Sequence, residues 1–354
     1  MTSFFPPDRI AGAELGTHFM ATHMAKQGHE VHVVITRPLE RGRGEEKRSG
    51  YTIHWLSYLN LKGLRFFSEI KAGLKKLEIL KPDIVHGNCL LPGGFIAAKY
   101  ASKTHAESIV LCYGYDVSDM GFLQSYFGKY AIKNCTKIMA ASKYTASKVK
   151  SWVPKSEPQT FYAGYDDNAF PLLPKVEIVD KKNILFIGRL IPEKGFDLLI
   201  SVMEKLDDTY YLTVIGSGEL ESVYKEEAAE KKINQRIEFL GNIANTEITN
   251  VMKKSHVLLL PSKREPFGVV CIEAIASGIP VICSNVMGLP EAVCDGENGF
   301  VLKDFDVNSW VKAVEKICTD NGIREKIYSN AQKYHNQWKW SERLNELENI
   351  YKSL

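Results

Sequence analysis

Short runs of β-branched and other apolar residues alternate along this chain with longer stretches in which apolar positions recur every three or four residues. In the first half the short runs are EVHVVIT (30–36), DIVHG (83–87), SIVLC (108–112) and KIMAAS (137–142). In the second they are NILFIG (183–188), YLTVIG (211–216), IEFLG (237–241), VLLLP (257–261) and PVICS (280–284). Strands alternating with helical stretches predict β-α units around parallel sheets. Residues 162–183 cluster Gly, Asp, Asn and Pro with little periodicity, so this segment is expected to join two domains. A length of 354 residues agrees, because a single hydrophobic core stops growing at about 250–300 residues. The predicted fold class is α/β, with two Rossmann-like doubly wound domains facing across a cleft. In such open sheets ligands sit beyond the carboxyl ends of the strands, and candidate chemistry is sought there.

Composition changes this picture little. The chain is 45% hydrophobic and 25% charged, as in an ordinary globular protein. Seven scattered Cys with no C-x-x-C pair argue for free thiols in a reducing compartment, against a disulfide frame or a zinc site. No apolar run approaches the roughly 20 residues that span a bilayer, and MTSFFPPDRI lacks the layout of a signal peptide, so a cytoplasmic protein is expected. Charge adds an asymmetry beneath the net +3: residues 1–170 hold 22 Lys and Arg against 15 Asp and Glu, and the remainder holds 23 against 27. A basic first half suits an anionic partner, whether a membrane surface, a phosphorylated ligand or nucleic acid, or is only a solvated face.

Three strand ends carry the candidate chemistry. In FIGRLIPEKGFDLLI (186–200) a strand ends at Gly188, Arg189 and Lys194 follow in a short loop, and a helix begins near Gly195. Two cations beside a helix N-terminus form an anion site, although a solvated turn is as ordinary a reading. In EPFGVVCIEAIASGIPV (265–281) the stretch Val269–Ala276 predicts a buried helix that is apolar except for Glu273. A buried carboxylate needs a partner. Pro266 suits a first helical turn, and Gly268 leaves the N–H groups of Gly268, Val269 and Val270 approachable by phosphate oxygens. Glu265 and Glu273 lie at most ~12 Å apart at helical rise, about the span from a sugar across a diphosphate to a ribose. The ordinary alternatives are a buried ion pair for Glu273 and a helix-dipole contact for Glu265. The third place, VIGSGEL (214–220), lacks the last glycine of a dinucleotide fingerprint and is expected to let backbone pass close to a ligand or a neighbouring loop.

In order and spacing, GRLIPEKGFDLLI, EPFGVVCIEA, SGIPVICSNVMGLPEAV and GENGFVL resemble the retaining nucleotide-sugar glycosyltransferases of family 4 (glycosyl transferases group 1), which have the two-Rossmann GT-B fold. AGAELGTHFMATHMAKQGHEVHVV is similar to that family's Gly-rich loop and first helix, and GYDDNAFPL to its interdomain segment. The resemblance implies an acceptor-side domain over 1–165, a donor domain over 166–335 and a last helix, 336–354, crossing back to the first. It implies that Arg189 and Lys194 serve the donor diphosphate in place of a metal, and that Glu273 holds the ribose hydroxyls. Glu265 would bind the transferred sugar, and the backbone of Phe267, Gly268, Val269 and Val270 would contact sugar and phosphate. Ile243 falls where the family packs the base, and Gly12 where the N-terminal loop nears the diphosphate. No cofactor and no metal are implied. The donor it implies is a UDP- or GDP-linked sugar, the acceptor a glycan or lipid-linked glycan made for cell-surface polysaccharide or glycolipid, and nucleic acid is not an expected partner.

Two stretches depart from the family pattern. Where the family often has His in an H-G-x-D segment, CYGYDV places Tyr113, followed by Asp116; His86 and Asp116 are the other acceptor-side candidates, weighed against core roles. Members usually open with a complete strand before the SFFPP stretch, whereas Met1 stands where that strand should end. The D-x-D at 304–306 is expected to cap a helix rather than to bind metal. In LRFFSEIKAGLKKLEILK (64–81), Phe66, Phe67, Ile70, Leu74, Leu77 and Leu80 recur at helical spacing among Lys71, Lys75, Lys76 and Lys81, which suits either a lipid interface or packing on the sheet. The competing functions are a nucleotide-sugar epimerase of the same fold and a non-catalytic nucleotide-sugar-binding module.

Overall fold

The computed structural model describes residues 1–6, 12–37, 44–58, 64–118, 120–175 and 180–354. The chain divides into two compact units, Met1–Ala163 with Trp340–Leu354, and Gly164–Lys339.

The first unit runs α1 (Gly12–Lys26), β1 (His32–Ile35), β2 (Glu45–Arg48), β3 (Tyr51–Trp55), α2 (Arg65–Leu80), β4 (Ile84–Gly87), α3 (Phe95–Ala101), β5 (Glu107–Cys112), α4 (Phe122–Asn134), β6 (Lys137–Ala140), α5 (Lys143–Trp152) and β7 (Gln159–Thr160). A last helix of the chain, Trp340–Lys352, returns to this unit. Its strands form two sheets, β1-β3-β2 and β4-β5-β6-β7, parallel throughout except for the β2–β3 pair. Strand β5 is buried on both faces, which is why it reads as one apolar run. On one side Ile109 and Leu111 pack with Met20, Met24 and the Trp340–Lys352 helix; on the other Val110 and Cys112 pack with Leu90, Phe95 and Ala131. The β2–β3 hairpin escapes the sequence reading because EEKR has no apolar member. Its only local signal is Ser49–Gly50, both left-handed, at φ 49° and 87°.

Helix α2 forms over the expected residues, but its apolar stripe faces the protein. Ile70, Leu74 and Leu77 pack against Val85, Ile96 and Tyr100, and Lys76 is bonded to Glu45 at 3.0 Å. Of the two readings of that stripe, a lipid interface or packing on the sheet, packing takes these three side chains, against β4 and α3. Leu64, Phe67 and Ile79 stay exposed. Within the chain's start, Thr2 bridges Ile35 in parallel and the Met1 ammonium donates to the His86 carbonyl at 2.7 Å.

The second unit runs β8 (Lys182–Ile187), α6 (Phe196–Lys205), β9 (Tyr210–Ile215), α7 (Glu221–Glu230), β10 (Ile237–Gly241), α8 (Asn245–Met252), β11 (Val257–Leu260), α9 (Val269–Ala276), β12 (Val281–Ser284), α10 (Leu289–Ala292), β13 (Gly299–Leu302), α11 (Val307–Thr319) and α12 (Asn321–Gln337). The final helix of the first unit is thus α13 (Trp340–Lys352). Six parallel strands lie in the order β10-β9-β8-β11-β12-β13. The order reverses direction between β8 and β11, the topological switch point at which ligands of doubly wound sheets bind. Of the D-x-D, Asp306 accepts the Ser309 N–H at 2.9 Å and caps α11, as expected of it. No helix among the described residues is long and apolar enough to cross a membrane.

Candidate functional site

The switch point places the loop after β8 beside the loop after β11. Gly188 leaves β8, a single turn spans Pro192–Lys194, and α6 begins at Phe196. The two cations of this loop are not equivalent. Lys194 Nζ forms an ion pair with a Glu265 carboxylate oxygen, both side chains being largely buried. Arg189 is exposed, with no ion-pair partner among the described residues. Sequence reasoning treated Lys194 and Glu265 as separate ligands, because nothing local shows that residues 71 apart meet. The VIGSGEL turn serves this loop. A Cβ on Gly218 would lie 2.3 Å from the Leu190 carbonyl oxygen, and Leu190 N–H donates to Ser217 at 3.0 Å. Of the two readings of that turn, the neighbouring-loop one holds. From the other side the N–H groups of Lys263 and Arg264 both donate to the Glu193 carbonyl, at 2.8 and 3.3 Å.

Beyond Glu265 the chain bends through Pro266 and Phe267 and enters α9 at a left-handed Gly268, φ 87°. Pro266 therefore precedes the helix instead of sitting in its first turn, which corrects the sequence expectation: the left-handed residue resets the chain direction, and helical geometry starts only after it. Val269 and Val270, half-buried, donate to no backbone carbonyl among the described residues, so the helix start presents two N–H groups. Phe267 is buried against Trp338, ring centroids 5.4 Å apart, which holds the bend in place. One turn into α9, Glu273 is half-buried and has no hydrogen-bond or ion-pair partner among the described residues. Loss of hydration, with the nearby negative Asp166 adding to it, pushes its pKa up to about 8. Among the described residues Glu273 has no internal ion pair, the ordinary alternative weighed for it, while Glu265 has one. Asp166 is the residue that sequence reasoning missed; its place in the Gly/Asp/Asn-rich joining segment was the only signal.

Ile243 follows β10, half-buried, next to Asn242, whose amide donates to Ser217 at 2.7 Å. The loops after β10, β9, β8 and β11 are thus joined edge to edge. At about 4.8 Å per strand, β10 and β11 stand about 14 Å apart, so Ile243 and Glu265 mark the two ends of a groove of that order.

In the first unit Gly12 opens α1 and is exposed, while residues 7–11 of the loop before it lie outside the described residues. Tyr113 donates to Asn88 Oδ1 at 2.8 Å, and Asn88 in turn bonds Thr17 of α1. Burial raises the Tyr113 phenol beyond its ordinary range, so it stays protonated. Asp116 accepts the N–H groups of Tyr113 and Gly114 at 2.9 Å and of Leu90 at 3.1 Å, tying its loop to the end of β4. His86 Nδ1 meets the Tyr351 hydroxyl at 2.7 Å, and burial lowers its pKa to about 3. Tyr113, Asp116 and His86 are all half-buried, and each has a hydrogen-bond partner within the first unit.

Comparison with known proteins agrees with both units. The glycosyltransferase family 4 model matches residues 10–169 and the model described as glycosyl transferases group 1 matches residues 173–334. An uncharacterised glycosyltransferase of Methanocaldococcus jannaschii is 27% identical over 88% of this chain and 87% of its own. Sucrose-phosphate synthase from Thermosynechococcus elongatus superposes with a TM-score of 0.83 at 19% identity, covering 97% of this chain and 93% of that one. Anabaena HepE, solved with UDP and glucose, superposes at 0.82 and 17% identity over 100% and 99%. With a doubly wound parallel sheet whose switch-point loops carry the family's motifs, and with both family models matched in order, the chain belongs to the family 4, group 1 glycosyltransferases of GT-B fold.

Proposed function

We propose that the chain moves a hexosyl group, with retention and without a metal, from a UDP- or GDP-linked sugar to a glycan or lipid-linked acceptor in cell-surface polysaccharide or glycolipid synthesis. The observation that carries the reading is Glu273: a carboxyl group one turn into an otherwise apolar helix, with no hydrogen-bond or ion-pair partner among the described residues, beside the N–H groups of the helix start. In its neutral form a carboxyl group both donates and accepts, which suits a ribose diol. The Val269 and Val270 N–H groups and the exposed Arg189 stabilise the diphosphate as charge develops on it. Lys194 has three N–H donors; one holds Glu265, which orients the hydroxyls of the transferred sugar, and the others reach phosphate. Ile243 packs the base, and Gly12 serves the diphosphate and the reacting sugar. In a front-face transfer the acceptor oxygen bonds the anomeric carbon as the carbon–phosphate-oxygen bond breaks, and the departing phosphate takes the acceptor proton. Tyr113 then orients an acceptor hydroxyl and need not be a base. The test is a thermal-shift series with UDP, GDP and their sugars, followed by transfer assays with and without EDTA. Stabilisation by one base series and EDTA-resistant transfer is expected. Loss of transfer on chelation, restored by Mn²⁺, rejects the metal-free mechanism, and donor consumption without acceptor identifies an epimerase.

The same reading puts the enzyme in the cytoplasm, peripheral on the inner face of the cell membrane. Its support is an aromatic patch on α2 and α4: Phe122 is 93% exposed, and Leu123, Tyr126, Leu64 and Phe67 are about half exposed or more. Phe66, Phe67 and Phe127 join the two helices, with centroids 5.1–6.0 Å apart. Exposed Lys71 and Lys75 follow Phe67 on the same helix face. Contiguous exposed rings rimmed by lysines are the surface an anionic bilayer attracts.

A further inference from the structure

A groove of about 510 Å³ runs along the first unit between helix α2 and the segment 55–58 that leaves β3. Ser68, Lys71, Lys75 and Lys76 line it at helical spacing, a face of α2 distinct from the Ile70, Leu74 and Leu77 stripe that packs on β4 and α3. The opposite wall is fixed at its backbone: Trp55 N–H donates to the Gly44 carbonyl at 3.0 Å and Leu56 N–H to the Ile35 carbonyl at 3.1 Å. Buried side chains brace both walls. Lys76 is bonded to Glu45 at 3.0 Å, and Glu45 to His54, 3% exposed, at 2.8 Å. Arg65 stands over the Tyr58 ring, 5.8 Å from its centroid, and is bonded at 2.7 Å to Glu69, which is fully buried.

Charge in the groove is one-sided. Its lining holds three lysines and no Asp or Glu. Glu45 offsets Lys76, whereas Lys71 and Lys75 are exposed and have no ion-pair partner among the described residues. Four residues apart on one helix, these two repel each other. We propose that the groove is a binding site for a phosphate monoester, with the Lys71 and Lys75 ammonium groups on the phosphate oxygens and the Ser57 and Tyr58 hydroxyls donating to them. The match is in the charge: a monoester carries about −1.5 to −2 at neutral pH, enough for two unpaired ammonium groups, while a diester or a carboxylate leaves one of them uncompensated. Ser68 already donates to the Arg65 carbonyl at 2.8 Å, so toward a ligand its hydroxyl only accepts. The groove is larger than a phosphate and falls within the roughly 300–1,000 Å³ of small-molecule sites, so the occupant carries its phosphate on a small body. That body lies along the apolar part of the lining, Ala72 and the exposed Ile79. A soluble metabolite and the headgroup of a lipid both supply this chemistry.

The test uses the full chain, and neither a sugar donor nor a transfer assay enters it, so its failure is distinguishable from failure of the proposed activity. Amide NMR signals of Ser57, Tyr58, Ser68 and Lys71 are followed as glycerol 3-phosphate is added at constant ionic strength. Saturable shifts with a midpoint near millimolar are expected, the affinity falling at least about tenfold in Lys71→Gln with Lys75→Gln. Lys148→Gln with Lys150→Gln, which removes the same charge from exposed positions of α5, should leave it unchanged. Phosphatidylcholine vesicles carrying phosphatidic acid, a monoester, are compared with vesicles carrying phosphatidylglycerol, a diester, at matched charge. Preference for phosphatidic acid, lost in the Lys71 and Lys75 variant, identifies a lipid headgroup as the source; saturable shifts with glycerol 3-phosphate and no such preference identify a soluble one. Absence of both the shifts and the preference overturns the proposal. So does an equal loss in the two double variants, since the attraction is then a diffuse property of the basic surface.

Discussion

Glu273 has an ordinary carboxyl pKa in the unfolded chain, 4.5, and one near 8 in the folded chain. Between these values the folded state keeps a proton that the unfolded state has released. Stability contributed by this group is therefore fully present below about pH 4.5 and lost as pH rises through 8. Glu273→Gln should accordingly gain little at pH 5 and raise Tm at pH 8.5, flattening the pH profile; a variant profile parallel to that of the parent contradicts the raised pKa. The two glutamates should also separate by ligand. Glu273→Ala is expected to weaken both the nucleoside diphosphate and its sugar, because both contain the ribose. Glu265→Ala should spare the diphosphate and lose transfer. Calorimetry on the four pairs reads this, and equal losses for both ligands in both variants reject the division. Arg189→Ala should lose a charge-assisted contact of roughly 1.5–3 kcal/mol to the diphosphate. Lys194→Ala should cost folding stability as well, since it leaves Glu265 largely buried beside no cation.

At the scale of elements, the site rests on loops that meet backbone to backbone. Gly268→Ala keeps the sequence of α9 but asks an L-residue to hold φ 87°, and its Cβ would stand 2.5 Å from Leu289 Cδ2. Leu289 can turn aside, but the backbone cannot, so a loss of about 1–2 kcal/mol is expected. Gly218→Ala meets a carbonyl oxygen instead of a flexible side chain, and should move the Arg189 loop and weaken diphosphate binding together with stability. Binding unchanged in Gly218→Ala, measured by the same calorimetry, contradicts the role given to that loop contact. Asp306→Ala is the control outside the site. Loss of the α11 cap should lower stability by about 1 kcal/mol and leave nucleotide affinity as it was.

For the whole molecule, the surplus of positive charge over residues 1–170 and the aromatic patch on α2 and α4 lie in the same unit. Co-sedimentation with anionic vesicles should fall as salt rises, because each lysine near the surface contributes about 1 kcal/mol that ions screen. Phe122→Ser with Tyr126→Ser should reduce the residual binding at high salt, and Lys71→Glu with Lys75→Glu the binding at low salt. No binding to either anionic or neutral vesicles at low salt rejects membrane association. Lys76 is left out of the pair since it is bonded to Glu45.

The sequence by itself determined the two sets of β-α units, the strand ends at which to look and most of the residues found there. Parallel strands buried on both faces, such as β5 and β11, must be continuous apolar runs, and a helix as apolar as α9 makes its one carboxylate conspicuous. The Asp306 cap was equally legible, because a cap bonds only three residues away. What only the tertiary structure decided involves partners distant in the chain. Lys194 meets Glu265 across 71 positions, and no local pattern distinguishes that ion pair from two separate ligands. The stripe of α2 looks the same whether it faces lipid or Val85 and Ile96, since periodicity fixes a face and not its neighbour. The polar β2 strand exists because β3 lies beside it. Pairing in a sheet is a relation between segments, and hydrophobic pattern describes one segment at a time.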